Sequence, residues 1–340
     1  MKVLVIDNIQ ESAGARLRLR ESLRRHFPAA RMDYAIHEAR AGEPLADVVR
    51  RQLRDDGVGL VVAAGGDGTV SAVCNGLPDW SVPLGIIPAE TGNLVARELG
   101  IPLDPDAAVA LLAGPHQTRR MDAMRIGDRI CVLNISVGIS AAIVDGTSRR
   151  SKRRLGRLAY FGTALREVLS FRRWQLVVEV DGQSHPYRAL DVSIMNGGLL
   201  GAQLYPCGPE IRMDDGVLGV WILSMKNPAD YARYLFGVVT RRYRHPLAKF
   251  IRAERSVRIR GDTLLPVQAD GDIIGTTPID VTVLPGALTV WTPVPRTKSI
   301  RGDLTPPTPL RRPRSRVTPH GTMSAFPALW LWFRRPKVEQ

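Results

Sequence analysis

An apolar run, Val58-Gly59-Leu60-Val61-Val62-Ala63-Ala64, passes directly into Gly65-Gly66-Asp67-Gly68-Thr69, and a stretch of helical character follows. The run is short and rich in branched side chains, so it reads as a buried strand. Glycines between a buried strand and a helix start leave backbone N–H groups uncovered by side chains. The positive end of the helix adds to their attraction for anions. Such a turn can hold phosphate oxygens. Asp67 lies inside it and would repel a bare phosphate, so it points to a metal ion or its water shell as intermediary. Phosphate and metal together imply nucleotide-dependent phosphoryl transfer.

A glycine-rich turn alone is a weak signal. The stretch lacks a Walker-type ending in Gly-Lys-Ser/Thr and lacks the Gly-x-Gly-x-x-Gly dinucleotide fingerprint. A second unit of the same kind strengthens it. Pro83-Leu84-Gly85-Ile86-Ile87 reads as another buried strand, followed by Pro88-Ala89-Glu90-Thr91-Gly92-Asn93 and a helical Leu94-Val95-Ala96-Arg97-Glu98-Leu99-Gly100. Two successive strand–turn–helix units place both turns at the carboxyl edge of one parallel sheet, where open α/β folds bind ligands.

The rest of the first 118 residues keeps the alternation. Val3–Asp7 and Met32–His37 read as strands; Ala13–His26 and Leu45–Arg54 read as helices. Leu17, Leu19 and Leu23 are expected to face the core from the first helix, and Val48, Val49 and Leu53 from the second. Pro105–Leu112 is a third helix, closed by Gly114-Pro115. This is a doubly wound parallel α/β domain. From 119 to 295 extended runs dominate: Asp122–Ile126, Arg129–Val137, Gln175–Val180, Ala189–Met195, Leu218–Ser224, Ser256–Arg260 and Asp280–Val283. Asp-Gly turns divide several of them, and helical stretches at Leu158–Leu169 and Ala229–Val239 interrupt. The expectation is an antiparallel β-sandwich-like domain, with a nucleotide cleft between it and the first. Residues 296–340 form a Pro/Arg-rich tail expected to be disordered, with aromatics beside arginines near its end that suit a bilayer interface.

A chain of 340 residues with no apolar stretch of about 18–20 residues has no predicted membrane span. Its start reads as a strand rather than a secretory leader. Cys74, Cys131 and Cys207 show no metal-ligand spacing and fit reduced thiols in the cytoplasm. The net charge of +14 calls for an anionic partner, or at least for solubility by repulsion. No nucleic-acid-binding motif is present, so an anionic membrane surface or the nucleotide itself fits better, and no nucleic-acid partner is expected. The basic clusters at Arg149–Arg154 and Arg241–Arg244 otherwise read as solvated faces.

The paired turns, their spacing and the downstream segments resemble the diacylglycerol kinase catalytic family, which includes bacterial lipid kinases and sphingosine and ceramide kinases. Gly65–Thr69, Asn75-Gly76, Leu99-Gly100-Ile101-Pro102, Asn134–Gly138, Leu155–Tyr160, Pro209 and Asp214-Asp215-Gly216 carry the likeness, which runs to about residue 295. The resemblance implies an ATP-dependent kinase acting on a hydroxyl of a diacylglycerol-like or long-chain-base lipid. It would work on the inner face of the membrane as a peripheral protein, with Mg2+ and a lipid substrate, and a homodimer is compatible with it. Asn8, Gly65, Gly66, Asp67, Gly68, Thr69, Glu90, Thr91, Gly92 and Asn93 would bind the nucleotide. Asp215, with Asp214 second, would serve a magnesium site. Asp272, at the end of Gln268-Ala269-Asp270-Gly271-Asp272, would take the proton from the acceptor hydroxyl, with Asp67 assisting catalysis.

Asp272 stands where family members commonly carry Glu, one methylene longer, and three other places depart from the family pattern. The early Asn-Pro-x-x-Gly loop reads Asn8-Ile9-Gln10-Glu11-Ser12-Ala13-Gly14, without its proline. Glu90 replaces a glycine, and Leu94 replaces an acid that often follows Asn93. Glu90 either supplies a compensating carboxylate or weakens nucleotide binding. Other readings of the motifs are a soluble kinase related to NAD kinases and a catalytically silent lipid-binding relative.

Overall fold

A computed structural model describes residues 1–9, 13–54, 57–77, 81–90, 92–146, 172–200, 205–206, 211–239 and 247–294. Thr91, Cys207, Pro209, the Leu155–Tyr160 motif, the Leu158–Leu169 helix, both basic clusters and the tail lie outside these residues. Met1–Pro295 forms one compact unit.

The first half begins as expected. β1 (Lys2–Asp7), β2 (Asp33–Glu38), β3 (Val58–Gly65) and β4 (Leu84–Pro88) are parallel neighbours in the order β2-β1-β3-β4. Helices α1 (Ala13–His26), α2 (Leu45–Gln52), α3 (Asp67–Gly76), α4 (Leu94–Glu98) and α5 (Pro105–Ala113) connect them or follow them. Their apolar faces follow the helical period. Leu45, Val48 and Val49 are buried on α2, and Leu19 and Leu23 on α1. Leu17, expected in the core, is instead 56% exposed. The reason is geometric: Leu19 and Leu23, four apart, share a face, and a residue two before Leu19 points nearly opposite. Asp104 caps α5 by accepting the Ala107 N–H at 2.9 Å, and Pro105 occupies its first position.

The β half is built from β5 (His116–Ile126), β6 (Arg129–Cys131), β7 (Asn134–Gly138), β8 (Trp174–Val180), β9 (Gln183–Ala189), β10 (Asp191–Met195), β11 (Leu199–Leu200), β12 (Tyr205–Pro206), β13 (Leu218–Leu223), β14 (Ala248–Ala253), β15 (Ser256–Gly261), β16 (Pro266–Ala269), β17 (Asp272–Thr276) and β18 (Ile279–Pro293). α6 (Ile139–Gly146) follows β7, and a later helix, α7 (Pro228–Val239), follows β13. Six strands form the antiparallel sheet β14-β13-β10-β7-β16-β17, while β11 pairs with β12 alone. The other sheet is shared. β18 pairs antiparallel with β15 and with β5, and its Val290 lies parallel to Leu84 of β4. The parallel sheet thus continues through β18, β15, β8 and β9 as part of a mixed sheet of ten strands. The expected boundary at 118 falls inside β5.

Each half has its own core. One joins β1, β3 and β4 to the helices around Val5, Ile6, Leu60, Val62 and Ile87. The second lies between the two sheets, with Ile135, Val137, Val178, Ile194, Val220, Val257 and Val267 interleaved. The continuous backbone ladder through β18 fixes how the sandwich meets the carboxyl edge of the parallel strands, and that junction carries the acidic residues described next.

Candidate active site

The sharp turn after β3 depends on its glycines. Gly66 is extended (φ −92°, ψ −171°) and caps α3 without a side chain. A Cβ on Gly65 would collide with the Thr69 side chain, and one on Gly66 with the Glu90 carboxylate, whereas a Cβ on Gly68 would meet open space. Thr69 and Val70 donate their N–H groups to the Gly66 carbonyl at 3.0 and 3.1 Å. The N–H groups of Asp67 and Gly68, earlier in the first turn, have no intrahelical acceptor to reach. Asn8, just past β1, donates its side-chain N–H to Thr69 Oγ1 at 3.0 Å, which ties the first loop to the turn.

Asp67 binds the two turns together. Its Oδ2 accepts the Leu94 N–H and its Oδ1 the Val95 N–H, each at 3.0 Å, so it caps α4 from a different element. Gly92 lies close beside it: a Cβ there would stand 3.0 Å from Asp67 Oδ2, a tight contact. Asn93 takes the left-handed conformation (φ 52°) and donates its side-chain N–H to the Glu90 carbonyl. Asn93 is 6% exposed, and its Oδ1 is buried without a partner. Burial pushes the Asp67 carboxyl above its ordinary range, the N–H groups of Leu94 and Val95 pull it back, and the nearby Asp270 charge adds to the rise.

Asp270 comes from the β half and was not singled out from sequence. Its carboxylate accepts from Ser71 Oγ on α3 (2.7 Å) and from the N–H groups of Val132, Leu133 and Asn134 (2.9, 3.0 and 3.0 Å). Asn75 reinforces the same junction. Its Oδ1 accepts the Ile130 N–H at 2.8 Å, and its Nδ2 donates to the carbonyls of Ser71 and Ile130. Asp270 adopts φ 48° in an Asp-Gly turn between β16 and β17, a conformation that Asp tolerates better than most residues. Asp272, on the far side of that turn, is exposed and lies 3.1 Å from Arg129 Nη2. Asp270 rather than Asp272 is therefore the β-half carboxylate whose charge acts on Asp67.

A second acidic cluster gathers Asp122, Asp214 and Asp215. Asp214 is spanned by Arg119 and Arg212 at 2.6 and 2.9 Å, and Arg212 first, then Arg119, holds it below the usual carboxylate range. Asp215 accepts the N–H groups of Arg212 and Val217, both at 3.2 Å, and lies 3.6 Å from Arg252. Asp122, 2% exposed, accepts the N–H groups of Gly216 at 2.7 Å and Gly286 at 2.6 Å. Burial pushes its carboxyl up, and the charges of Asp215 and Asp214 add to that rise. Two guanidinium groups already neutralise Asp214, which does not fit the expected magnesium role there, while Asp122 and Asp215 accept one backbone N–H on each oxygen and keep further lone pairs. Among the described residues, no three His, Cys, Asp or Glu side chains are grouped to hold a metal ion.

The fold and the paired turns define an α/β lobe, with two glycine turns at the carboxyl edge of its parallel strands, joined to a β-sandwich. Residues 2–126 match the diacylglycerol kinase catalytic domain, and residues 134–292 match the YegS C-terminal NAD kinase beta sandwich-like domain. A Pseudomonas aeruginosa protein named "probable lipid kinase YegS-like" is 30% identical over 240 residues, covering 70% of this chain and 78% of that protein. The chain belongs to the diacylglycerol kinase catalytic-domain family. An uncharacterized Synechocystis protein is 28% identical over 279 residues, and the match spans 78% of this chain but 63% of that relative's length. A crystal structure titled as a diacylglycerol kinase from Bacillus anthracis superposes with a TM-score of 0.69 at 21% identity, covering 86% of this chain and 96% of that one. At that identity the likeness is one of fold.

Proposed function

We propose that the chain is an ATP-dependent lipid kinase that transfers the γ-phosphate to a hydroxyl of a diacylglycerol-like or long-chain-base lipid at an anionic membrane surface. The observation that carries this reading is the capping of α4 by Asp67, which welds two glycine turns into one anion-binding edge opposite Asp270. The N–H groups of the first turn of α3 receive phosphate oxygens, and Thr69, held by Asn8, fixes the floor of the turn. Bound together with the nucleotide, Mg2+ would supply positive charge to offset the negative charge on the transferring group. Asp270 has its oxygens committed to four donors, so it positions the lobes, and Asp272 is left as the carboxylate with accessible oxygens for the acceptor proton. To act, Asp272 must part from Arg129, an exposed pairing that costs little to break. Among the described residues no helix is long and apolar enough to cross a membrane.

The test is transfer of label from γ-labelled ATP to total membrane lipids by wild type, Asp67→Ala and Asp272→Ala. Label should appear in a lipid with the wild type and vanish with both variants while each stays folded. Unchanged labelling would remove that residue from the mechanism, and lipid-independent phosphorylation of NAD would favour the soluble-kinase reading. The position of Glu90 against Gly66 favours a second reading, a silent lipid-binding relative, which lipid binding without any label transfer would select.

A further inference from the structure

We propose that a cavity at the junction of the two halves holds the phosphate of an anionic membrane lipid, and that filling it frees the Asp272 carboxylate for the acceptor proton; the second clause rests on the kinase reading above. The cavity, of about 820 Å³, is lined by α2, the last turn of α3, the β5–β6 turn and β16 to β18. Asn75, in its wall, is about 12 Å along α3 from Asp67, so the cavity is separate from the glycine turns. One side is aliphatic: Ile126, Val267, Ile273, Ile274 and Ile279. Arg50 of α2 and Arg129 of β6 bring cations from both halves. Aliphatic lining with guanidinium groups matches an amphiphile whose polar end is an anion.

A guanidinium presents several N–H groups. Arg50 gives one to Asp47 at 2.6 Å and one to the Asn75 carbonyl at 3.0 Å, and Arg129 gives one to Asp272 at 3.1 Å. Acidic residues share the wall: Asp280 is matched by Arg258 Nε at 2.7 Å, while Asp128 stands exposed at the tip of the β5–β6 turn. A lipid phosphate in the cavity competes with Asp272 for Arg129. Their exposed ion pair is worth about 1 kcal/mol or less, so a phosphate that also gains Arg50 displaces the carboxylate. The aliphatic side reaches the surface. Ile273 is 38% exposed, and Leu264 is 74% exposed on a loop held by Thr277, which accepts the Leu265 N–H at 3.1 Å and donates to the Thr263 carbonyl at 3.2 Å. Thr277 sits between Thr276 and Pro278 of the cavity wall, so an exposed leucine stands beside the opening, where acyl chains would cover it.

The experiment is backbone hydrogen exchange on the full chain with dihexanoylphosphatidylserine, which carries a phosphate but no hydroxyl to phosphorylate. The controls are dihexanoylphosphatidylcholine, whose choline cancels its phosphate, and inorganic phosphate. Phosphatidylserine should slow exchange at Ile126–Ile130 and Ile273–Ile279 by about fivefold or more, and the controls should not. Arg50→Ala and Arg129→Ala should each lose that protection while exchange elsewhere stays as in wild type. In label transfer from γ-labelled ATP, wild type in neutral micelles should gain about three- to fivefold from added phosphatidylserine. Arg129→Ala, with Asp272 already released, should start at the raised rate and gain nothing. No protection with phosphatidylserine, or equal protection with inorganic phosphate, overturns the lipid site and leaves the kinase reading standing. Protection with no change in label transfer, either on adding the lipid or in Arg129→Ala, overturns the coupling to Asp272. If no mixture supports label transfer at all, the kinase reading fails and the coupling falls with it.

Discussion

Asp67 and Asp214 are both acidic residues of glycine-containing turns, yet their carboxylates are stabilised by opposite means. Asp67 is partly buried and held by two backbone N–H groups, neutral donors that leave its charge uncancelled. Asp214 is held by two guanidinium groups that cancel it. Burial raises the first above its ordinary range, and arginines hold the second below it. A carboxylate that keeps an uncompensated charge at the mouth of a glycine turn can still attract a cation. One already paired to two arginines has that capacity used up. An acid in a glycine-containing turn thus keeps its charge in one place and has it cancelled in the other.

The comparison is broken most sharply at Asp270. Asp270→Ala leaves the N–H groups of Val132, Leu133 and Asn134 without their acceptor, and urea unfolding should show a loss of about 3–5 kcal/mol. A loss under 1 kcal/mol would mean that the lobes are joined by other contacts. Asp67→Asn should lower label transfer by about 100-fold or more, while stability falls by only about 1 kcal/mol from the weakened cap. Equal damage to both would place Asp67 with the structural carboxylates.

Asp191 extends the contrast to a carboxylate with neutral donors and full burial. It accepts from Ser193 Oγ at 2.6 Å and from the Ser140 N–H at 2.9 Å, and burial pushes it up to about 6 from 3.8. The folded protein therefore keeps a proton that the unfolded chain has lost. The stabilisation is fully present below pH 3.8 and disappears as pH rises through 6. Above that, the buried charge costs on the order of 2 kcal/mol. Relative to wild type, Asp191→Asn should be more stable at pH 8 than at pH 4 by about that amount, read from denaturant midpoints. A pH-independent difference would contradict the assignment. The smallest effect belongs to the arginine-held cluster. Asp214→Asn should cost about 1 kcal/mol, and EDTA should leave the melting temperature of wild type unchanged. A fall in EDTA would show that a divalent cation, and not Arg119 and Arg212, balances this turn.

Much of the parallel half was legible because buried strands and amphipathic helices announce themselves by their periods. Val58–Gly65 and Leu84–Pro88 are strands with scarcely an exposed residue, and both glycine turns lie where two strand–turn–helix units must put them. The β half was legible only in its apolar runs. β9 was missed because Gln183, Ser184, His185 and Pro186 are all exposed on an edge strand and show no alternation. Arg129–Val137, expected as one strand, is broken between Cys131 and Asn134, where three successive N–H groups turn toward Asp270.

The site was legible in its glycines and obscure in its carboxylates. Asp270 and Asp272 differ by two residues, and nothing local tells which one turns inward; pairing β16 with both β7 and β17 decides it. Asp122 carries a weak signal in sequence, a lone acid between Met121 and Ala123, both of which the fold buries. Glu90 was visible as a departure from the family pattern, but its contact with Gly66 needs the coordinates.

The most direct test of the central claim is hydrogen exchange of backbone amides with and without ATP and Mg2+. Slowed exchange is expected at Gly66–Val70 and at Gly92–Val95, where phosphate and its cation would cover the two turns. Protection confined to the cavity of about 820 Å³ lined by Arg50, Asn75, Ile126, Arg129 and Ile273, with the glycine turns unchanged, would contradict it.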